Sequence, residues 1–336
     1  MFSCYPSTMF LSTRILGTAS LLPGRMVTTA ELSDVMPDRT AEELEARTGI
    51  KTRAFSGPDD TTASLGATVL RDALADAGLS ASELRHIILV SSTGGDFLIP
   101  ATVNRLMSEL GIRNSCAGFD LNNACVGFLS ALDVGSRMTA TGVGLVAVVV
   151  VETLSKHTRR EVPRPYVVLG DAAAAVVLGA GRPNEGVLGS AFGNNGDHFG
   201  SVFLGHPGLT GETESIRFDS SNKEISKIAL EGLTRSAAAV LEPAGLTWSD
   251  VEWILPHQPN GSLLTKIINH FGIDPERTVR VVDEIGSVGA ASIAVGLDRL
   301  RSDSTRQISA GDRILMVGVG AGLSFGALLY QVGADG

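Results

Sequence analysis

A stretch of this chain is written twice, which narrows the folds open to it more than any single motif. Ala77-Gly-Leu-Ser-Ala-Ser82-Glu-Leu-Arg-His-Ile87 reads as a helix ending, a turn and the start of a buried strand. The same unit returns 167 positions later as Ala244-Gly-Leu-Thr-Trp-Ser249-Asp-Val-Glu-Trp-Ile254. The apolar run from Leu145 to Glu152 has a counterpart from Ile314 to Gly320, and Cys125-Val-Gly127 has one in Ser287-Val-Gly289. Nearly constant spacing implies a duplicated unit of roughly 160 to 170 residues, too long for a solenoid repeat. Each unit alternates apolar runs with helical patterns, which predicts an α/β protein with largely buried sheets. Halves are expected at 1–185 and 186–336. Packed face to face, they would form a layered sandwich around central helices whose N-termini meet at one site.

Composition supports a large core and restricts the partners. The chain has 336 residues, 44% of them hydrophobic and 19% charged, enough for one big or two medium domains. A net charge of −9 speaks against broad nucleic-acid binding. The longest apolar run, 143–151, is too short to span a bilayer, and the N-terminus lacks the pattern of a signal peptide, so no membrane association and a cytoplasmic location are expected. Three cysteines without paired or metal-type spacing argue against a disulfide framework and against a metal site.

Of these three, Cys125 is the candidate nucleophile. It lies in Asp120-Leu-Asn-Asn-Ala-Cys125-Val-Gly127, where a strand runs through a polar turn into a helical pattern. A thiol there would face the free N–H groups of a first helical turn, which lower a cysteine's pKa. Inert packing is the competing account of the residue taken alone, and it is the better account of Cys4 and Cys116. The second half supplies His257, in Ile254-Leu-Pro256-His257-Gln258-Pro-Asn260, directly after a buried strand. Side chains at such strand ends project into a crevice, and the pseudo-symmetry directs this one towards Cys125.

These residues carry a resemblance. With Arg47-Thr-Gly-Ile50, Gly170-Asp171-Ala-Ala-Ala174 and Gly318-Val-Gly320-Ala-Gly322, they fall in the order and spacing of the β-ketoacyl-acyl-carrier-protein synthase III family, which the chain resembles over almost its whole length. The resemblance implies the thiolase fold, a five-layered α-β-α-β-α sandwich, and a homodimer. It implies Cys125 as acyl acceptor, His257 as second catalytic residue, and the N–H groups of Cys125 and Gly320 as oxyanion hole. Arg47, Asn260, Phe97 and Phe199 are expected to bind substrate or carrier. No cofactor is expected, the substrates being phosphopantetheine thioesters.

Two departures refine the expectation. The family's third catalytic residue is an asparagine after the glycine that opens the second buried helix, and here Gly286 is followed by Ser287. The asparagine and histidine stabilise the enolate left by decarboxylation of malonyl-carrier protein. A hydroxyl reaches less far than an amide, and losing one such donor costs roughly 10²–10³ in rate. The relative that primes fatty-acid synthesis contacts coenzyme A through a tryptophan and an arginine, at positions occupied here by Glu43 and Ser262. An acyl-carrier protein is therefore the expected donor, its acidic face meeting either Lys156-His-Thr-Arg159-Arg160-Glu-Val-Pro-Arg164 or Lys266. The alternative for that basic stretch is a solvated loop.

The leading expectation is a ketosynthase of polyketide or specialised metabolism. It would load an acyl group on Cys125 and join it, by Claisen-type condensation, to a second carrier-bound chain. If that chain is already a β-ketoacyl thioester, no decarboxylation is needed. The main rival is an acyltransferase delivering the acyl group to a hydroxyl, an amine or a second carrier. An inactive dimer partner of a synthase is a third reading, disfavoured by the intact Cys125 and His257. Segments 92–100 and 194–206, which contain Phe97 and Phe199, are candidate tunnel walls. The strand 145–151 and the loop around Asp96, Phe97 and Leu98 are the expected dimer interface.

Overall fold

A computed structural model describes residues 5–7, 9–206, 208–209, 215–219 and 222–334. Cys4 lies outside them. Among the described residues, ten strands build the main sheets: β1 (Tyr5–Ser7), β2 (Leu11–Leu21), β3 (Leu84–Val90), β4 (Ala117–Leu121), β5 (Leu145–Thr153), β6 (Asp171–Ala180), β7 (Gly186–Asn194), β8 (Trp253–Pro256), β9 (Arg313–Gly320) and β10 (Ser324–Gln331). Their order is β8-β9-β10-β7-β2-β6-β5-β3-β4, with β1 also on β7. The duplication is visible in the ladders. The parallel pair β3·β5 and antiparallel pairs β5·β6 and β6·β2 are matched by the parallel pair β8·β9 and antiparallel pairs β9·β10 and β10·β7. Strand β2 joins the two sheets, pairing Leu11 and Ser12 with β7 and Thr13 to Leu21 with β6.

The helices complete five layers. α1 (Thr62–Asp76) covers the outer face of the first sheet, and α3 (Asn222–Leu241), with α4 (Gly261–Phe271) beside it, covers that of the second. α2 (Gly127–Ala140) and α5 (Ala291–Ser302) lie between the sheets, in a core drawn from both halves that includes Phe128, Leu132, Ile293, Leu297, Val148 and Met316. Every residue of α5 from Ala291 to Leu297 is buried, as suits a helix with small apolar residues on all faces. No helix among the described residues is long and apolar enough to cross a membrane.

The repeated Ala-Gly-Leu units have a common physical cause. Gly78 and Gly245 take left-handed conformations, φ +67° and +69°, that terminate their helices. The next residue then donates back into the last turn, Leu79 to the Leu74 carbonyl at 2.9 Å and Leu246 to that of Leu241 at 3.0 Å. Each turn closes in a capping box, Ser80 with Glu83 and Thr247 with Asp250.

Two expectations are corrected here. β5 is the middle strand of its sheet, hydrogen-bonded on both edges and buried over nearly its whole length, so 145–151 offers no interface. The free edge is β4, where Phe119 is exposed. The second buried helix also starts later than expected, at Ala291. Gly286 (φ +72°) and Gly289 (φ +51°) hold Ser287 in an irregular turn that bridges to Leu169 instead.

Candidate active site

Cys125 stands on a 3₁₀ turn, Ala124–Val126, between β4 and α2. The polar residues before it are builders of that turn. The Asp120 carboxylate accepts from the Thr102 and Val103 N–H groups at 2.6 and 2.9 Å, and the Asn122 side chain accepts from Ala124 N–H at 3.0 Å and donates to the Ser92 carbonyl at 3.1 Å. Ala124 has φ +44°, a conformation a residue with a Cβ adopts only when its surroundings impose it.

The thiol is held differently from expectation. The helix start was expected to lower its pKa, but burial pushes it up to about 12 and the nearby Glu152 carboxylate adds to the rise. The backbone N–H groups of Ala321 and of Cys125 itself bond the sulfur and oppose that rise. A buried sulfur that shares its site with an acid stays protonated at rest.

Gly320 plays a different part from the one expected. A Cβ at Gly320 would lie 2.9 Å from the Cys125 nitrogen and 3.3 Å from its Cβ. The residue is thus the close approach that lets β9 reach the nucleophile, and the second amide turned onto the sulfur belongs to Ala321.

His257 follows β8, its N–H bonded to the Val317 carbonyl of β9 at 2.8 Å. The imidazole is 2% exposed and its Nδ1 has no hydrogen-bond partner. Burial lowers its pKa to about 4, so the ring is neutral at ordinary pH. Ser287 is fixed through its backbone, N–H to the Val168 carbonyl at 2.8 Å and carbonyl to the Gly170 N–H at 3.0 Å. Its side-chain hydroxyl makes no hydrogen bond among the described residues.

Short links gather these three. Gly127 packs 3.7 Å, measured from the place a Cβ would take, from the Ala290 Cβ of the Ser287 turn. Gln258 donates its N–H to Ser292 Oγ at 3.0 Å and its side-chain amide to the Val279 carbonyl at 2.7 Å. Its side-chain oxygen accepts from Val281 and Val282 at 3.0 and 3.1 Å. The residue beside His257 therefore clamps the segment leading to Ser287. Glu152, at the end of β5, joins the same group: it is fully buried, accepts from Ala290 N–H at 3.0 Å, and bears on the Cys125 thiol. In the sequence it reads only as the close of an apolar strand.

The remaining expected residues do not converge here. Asn260 caps α4, its side-chain oxygen accepting from Leu263 N–H at 2.8 Å. Arg47 lies exposed on the last turn of the helix Ala41–Thr48, and its carbonyl accepts from the Ser262 hydroxyl. Glu43 closes the capping box of the same helix with Thr40. Phe97 sits under the Arg105 guanidinium, 5.8 Å from ring centre, and Phe199 is 78% exposed on a surface turn. Loop 92–100 does border a small cleft of about 80 Å³ lined by Leu89, Ser91, Gly94, Gly95, Asp120 and Asn122, the last of these three residues before Cys125 in the chain. The basic stretch is largely engaged within the protein, with Lys156 on the Asp60 carbonyl, Arg160 on Asp34 and Arg164 on the Phe218 carbonyl and ring. Lys266 is exposed on α4. Asp171, in the Gly170-Asp171 motif, is occupied by the N–H and hydroxyl groups of Ser56 and Ser155.

Comparison with known proteins agrees with this architecture. Residues 119–196 match the family model for 3-oxoacyl-[acyl-carrier-protein] synthase III, and 241–332 match the model for the C-terminal part of the same enzyme. The chain is similar to the 3-oxoacyl-[acyl-carrier-protein] synthase III of Aquifex aeolicus, with 28% identity over 95% of this chain and 99% of that one and a TM-score of 0.87. The Pseudomonas aeruginosa synthase III is 29% identical, over 96% and 98% of the two chains, with a TM-score of 0.86. The priming β-ketosynthase of the R1128 polyketide biosynthetic pathway is 27% identical, over 98% and 99%, with a TM-score of 0.86. A doubled α/β sandwich, a cysteine at the elbow and a histidine at the opposing strand end thus coincide with two matching models, and the chain belongs to the 3-oxoacyl-acyl-carrier-protein synthase III-like enzymes of the thiolase superfamily.

Proposed function

We propose that the protein is a ketosynthase of polyketide or specialised metabolism that takes an acyl group from a carrier thioester onto Cys125 and condenses it with a second carrier-bound chain. The observation that carries this reading is Ser287, gathered with Cys125 and His257, with its hydroxyl unengaged. In loading, the Cys125 sulfur attacks the thioester carbonyl and the carrier sulfur leaves with its electron pair and takes up a proton. The N–H groups of Cys125 and Ala321 are the donors placed for the oxyanion. In the second step the α-carbon of a β-ketoacyl-carrier thioester, after losing its proton, attacks the acyl-enzyme carbonyl and the Cys125 sulfur departs. His257, neutral at working pH, is the base at hand. A β-ketoacyl chain needs no decarboxylation, and one hydroxyl at 287 then suffices. Both substrates would arrive on phosphopantetheine arms, with Lys266 open to an acidic carrier surface.

Intact-protein mass spectrometry after incubation with acyl-carrier protein tests loading. A thioester on the wild type and none on Cys125→Ala supports it, and equal labelling of both removes it. Adding a β-ketoacyl-carrier protein should then release a chain lengthened by a carbon–carbon bond. An ester, an amide or an acyl group moved to the second carrier would instead favour plain acyl transfer, which the short reach of Ser287 also permits.

A homodimer fits the free edge of β4 and the adjacent exposed Phe97, Leu98 and Ile99, the last two 80% and 86% exposed. Charge at Leu98→Asp should shift sedimentation from dimer to monomer without unfolding the chain, whereas an unchanged sedimentation profile would place the interface elsewhere.

A further inference from the structure

Glu152 is a buried acid that the loading and condensation steps leave without a task. The pseudo-twofold gives it a place: β5 and β9 are counterparts, and where β9 ends against the Cys125 turn, β5 ends against the Ser287 turn. One carboxylate oxygen of Glu152 accepts from Ala290 N–H at 3.0 Å and from the Ser92 hydroxyl at 2.5 Å, and the other accepts from Ser92 N–H at 3.2 Å. A Cβ at Gly289 would stand 2.9 Å from that first oxygen, so the Ser287 turn is shaped to admit the carboxyl.

No cation pairs with Glu152 among the described residues. The ionisable groups that bear on it are both acids, Asp171 from the neighbouring strand β6 and Cys125 from the elbow. Ser92 and the 287–290 turn bring donors but no charge. Burial, with a contribution from Asp171, pushes the Glu152 carboxyl up to about 7 against the pull of its three hydrogen bonds. Two acids in one water-poor site titrate as a coupled pair, and the second negative charge is resisted.

We propose that Glu152 is a positioning residue and a proton switch: neutral, it lets the Cys125 thiolate form, and ionised, it opposes that thiolate while anchoring the Ser287 turn for the second step. The proposal rests on the reading of Cys125 as acyl acceptor. Charge then balances across loading. The thiolate, the acyl-carrier thioester and the protonated carboxyl become the enzyme thioester, the free carrier thiol and the Glu152 carboxylate. The proton reaches the carrier sulfur through solvent. The thiol is protonated at rest; in the reacting form the single negative charge is on the sulfur before attack and on the carboxylate afterwards.

Alkylation of Cys125 by iodoacetamide tests this without any carrier. Its rate is followed across pH by peptide-level mass spectrometry, in the full chain and in Glu152→Gln. The expected ratio of variant to wild-type rate is near one below neutrality and rises severalfold above it, because the variant lacks the charge that opposes the thiolate. A structural disturbance alone would give a ratio independent of pH. Should the variant not fold, the wild type carries its own signature: the logarithm of the rate climbs with pH, flattens across the Glu152 titration and climbs again. A single unbroken line in the wild type, or a pH-independent ratio, overturns the proposal. Because iodoacetamide needs no acyl-carrier protein, failure of thioester formation with a normal alkylation profile would count against the proposed function and leave the switch standing.

Discussion

Gly320 and the Cys125 amide nitrogen are so close that a methyl group on the former would sit 2.9 Å from the latter. The obstacle is backbone, which has little freedom to move. Gly320→Ala should therefore push the end of β9 off the elbow and carry the Ala321 amide with it. We expect a destabilisation of about 1–3 kcal/mol and a loss of Cys125 acylation of about a hundredfold, the scale of one oxyanion donor. Acylation at the wild-type rate in a folded variant would show that this approach is not needed.

Ser287 presents a free hydroxyl where the family has an amide. Ser287→Asn should restore a longer donor and raise CO₂ release from malonyl-carrier protein by at least about tenfold, since one such donor is worth roughly 10²–10³ in rate. Release measured with radiolabelled malonyl groups and found unchanged would remove the explanation offered for this position.

His257 and Glu152 titrate in opposite senses, and their effects on stability should cancel. His257 falls from about 6.5 to about 4 on folding, so its contribution is complete above the unfolded value and is lost as pH drops towards 4. Glu152 rises from 4.5 to about 7, so its contribution is complete below the unfolded value and is lost as pH climbs through 7. Each is worth up to about 3 kcal/mol over its window. Urea unfolding of the wild type should be nearly flat between about pH 5 and 6.5, by the opposition of the two shifts. His257→Asn should become less stable as pH rises, and Glu152→Gln less stable as it falls. The same slope in all three proteins would contradict both shifts.

Asn260 and Gln258 are separated by one residue and should behave unlike each other. Asn260→Ala loses a helix cap, a cost of about 1 kcal/mol, and should leave acylation untouched. Gln258→Ala strands three buried backbone groups and should cost roughly 2–4 kcal/mol, with slower condensation as Ser287 loosens. Thermal melts beside acylation rates distinguish the two, and impaired acylation in Asn260→Ala would return that residue to the binding site.

The architecture was legible because duplication and buried-strand runs are properties of sequence order, and so were Cys125 and His257, which sit at junctions between recognisable elements. The charge on the thiol was not. It depends on a carboxyl 27 positions away in the chain that arrives at the end of a different strand. The second amide was placed one residue away, at Gly320 and not at Ala321, because a run of glycines does not say which N–H turns onto the sulfur. An apolar run gave no sign that β5 is central and β4 the edge, since strand order is set by ladders between distant segments.

One strand belongs to both sheets. Because β2 continues without interruption from the β7 ladder into the β6 ladder, the halves cannot swing apart like a clamshell without tearing main-chain hydrogen bonds. A long substrate of the kind proposed would then have to reach the cysteine by threading, tip first, through gaps between loops. The length and bulk of the chains accepted would be set by loop residues and could be altered while the doubled frame stays as it is.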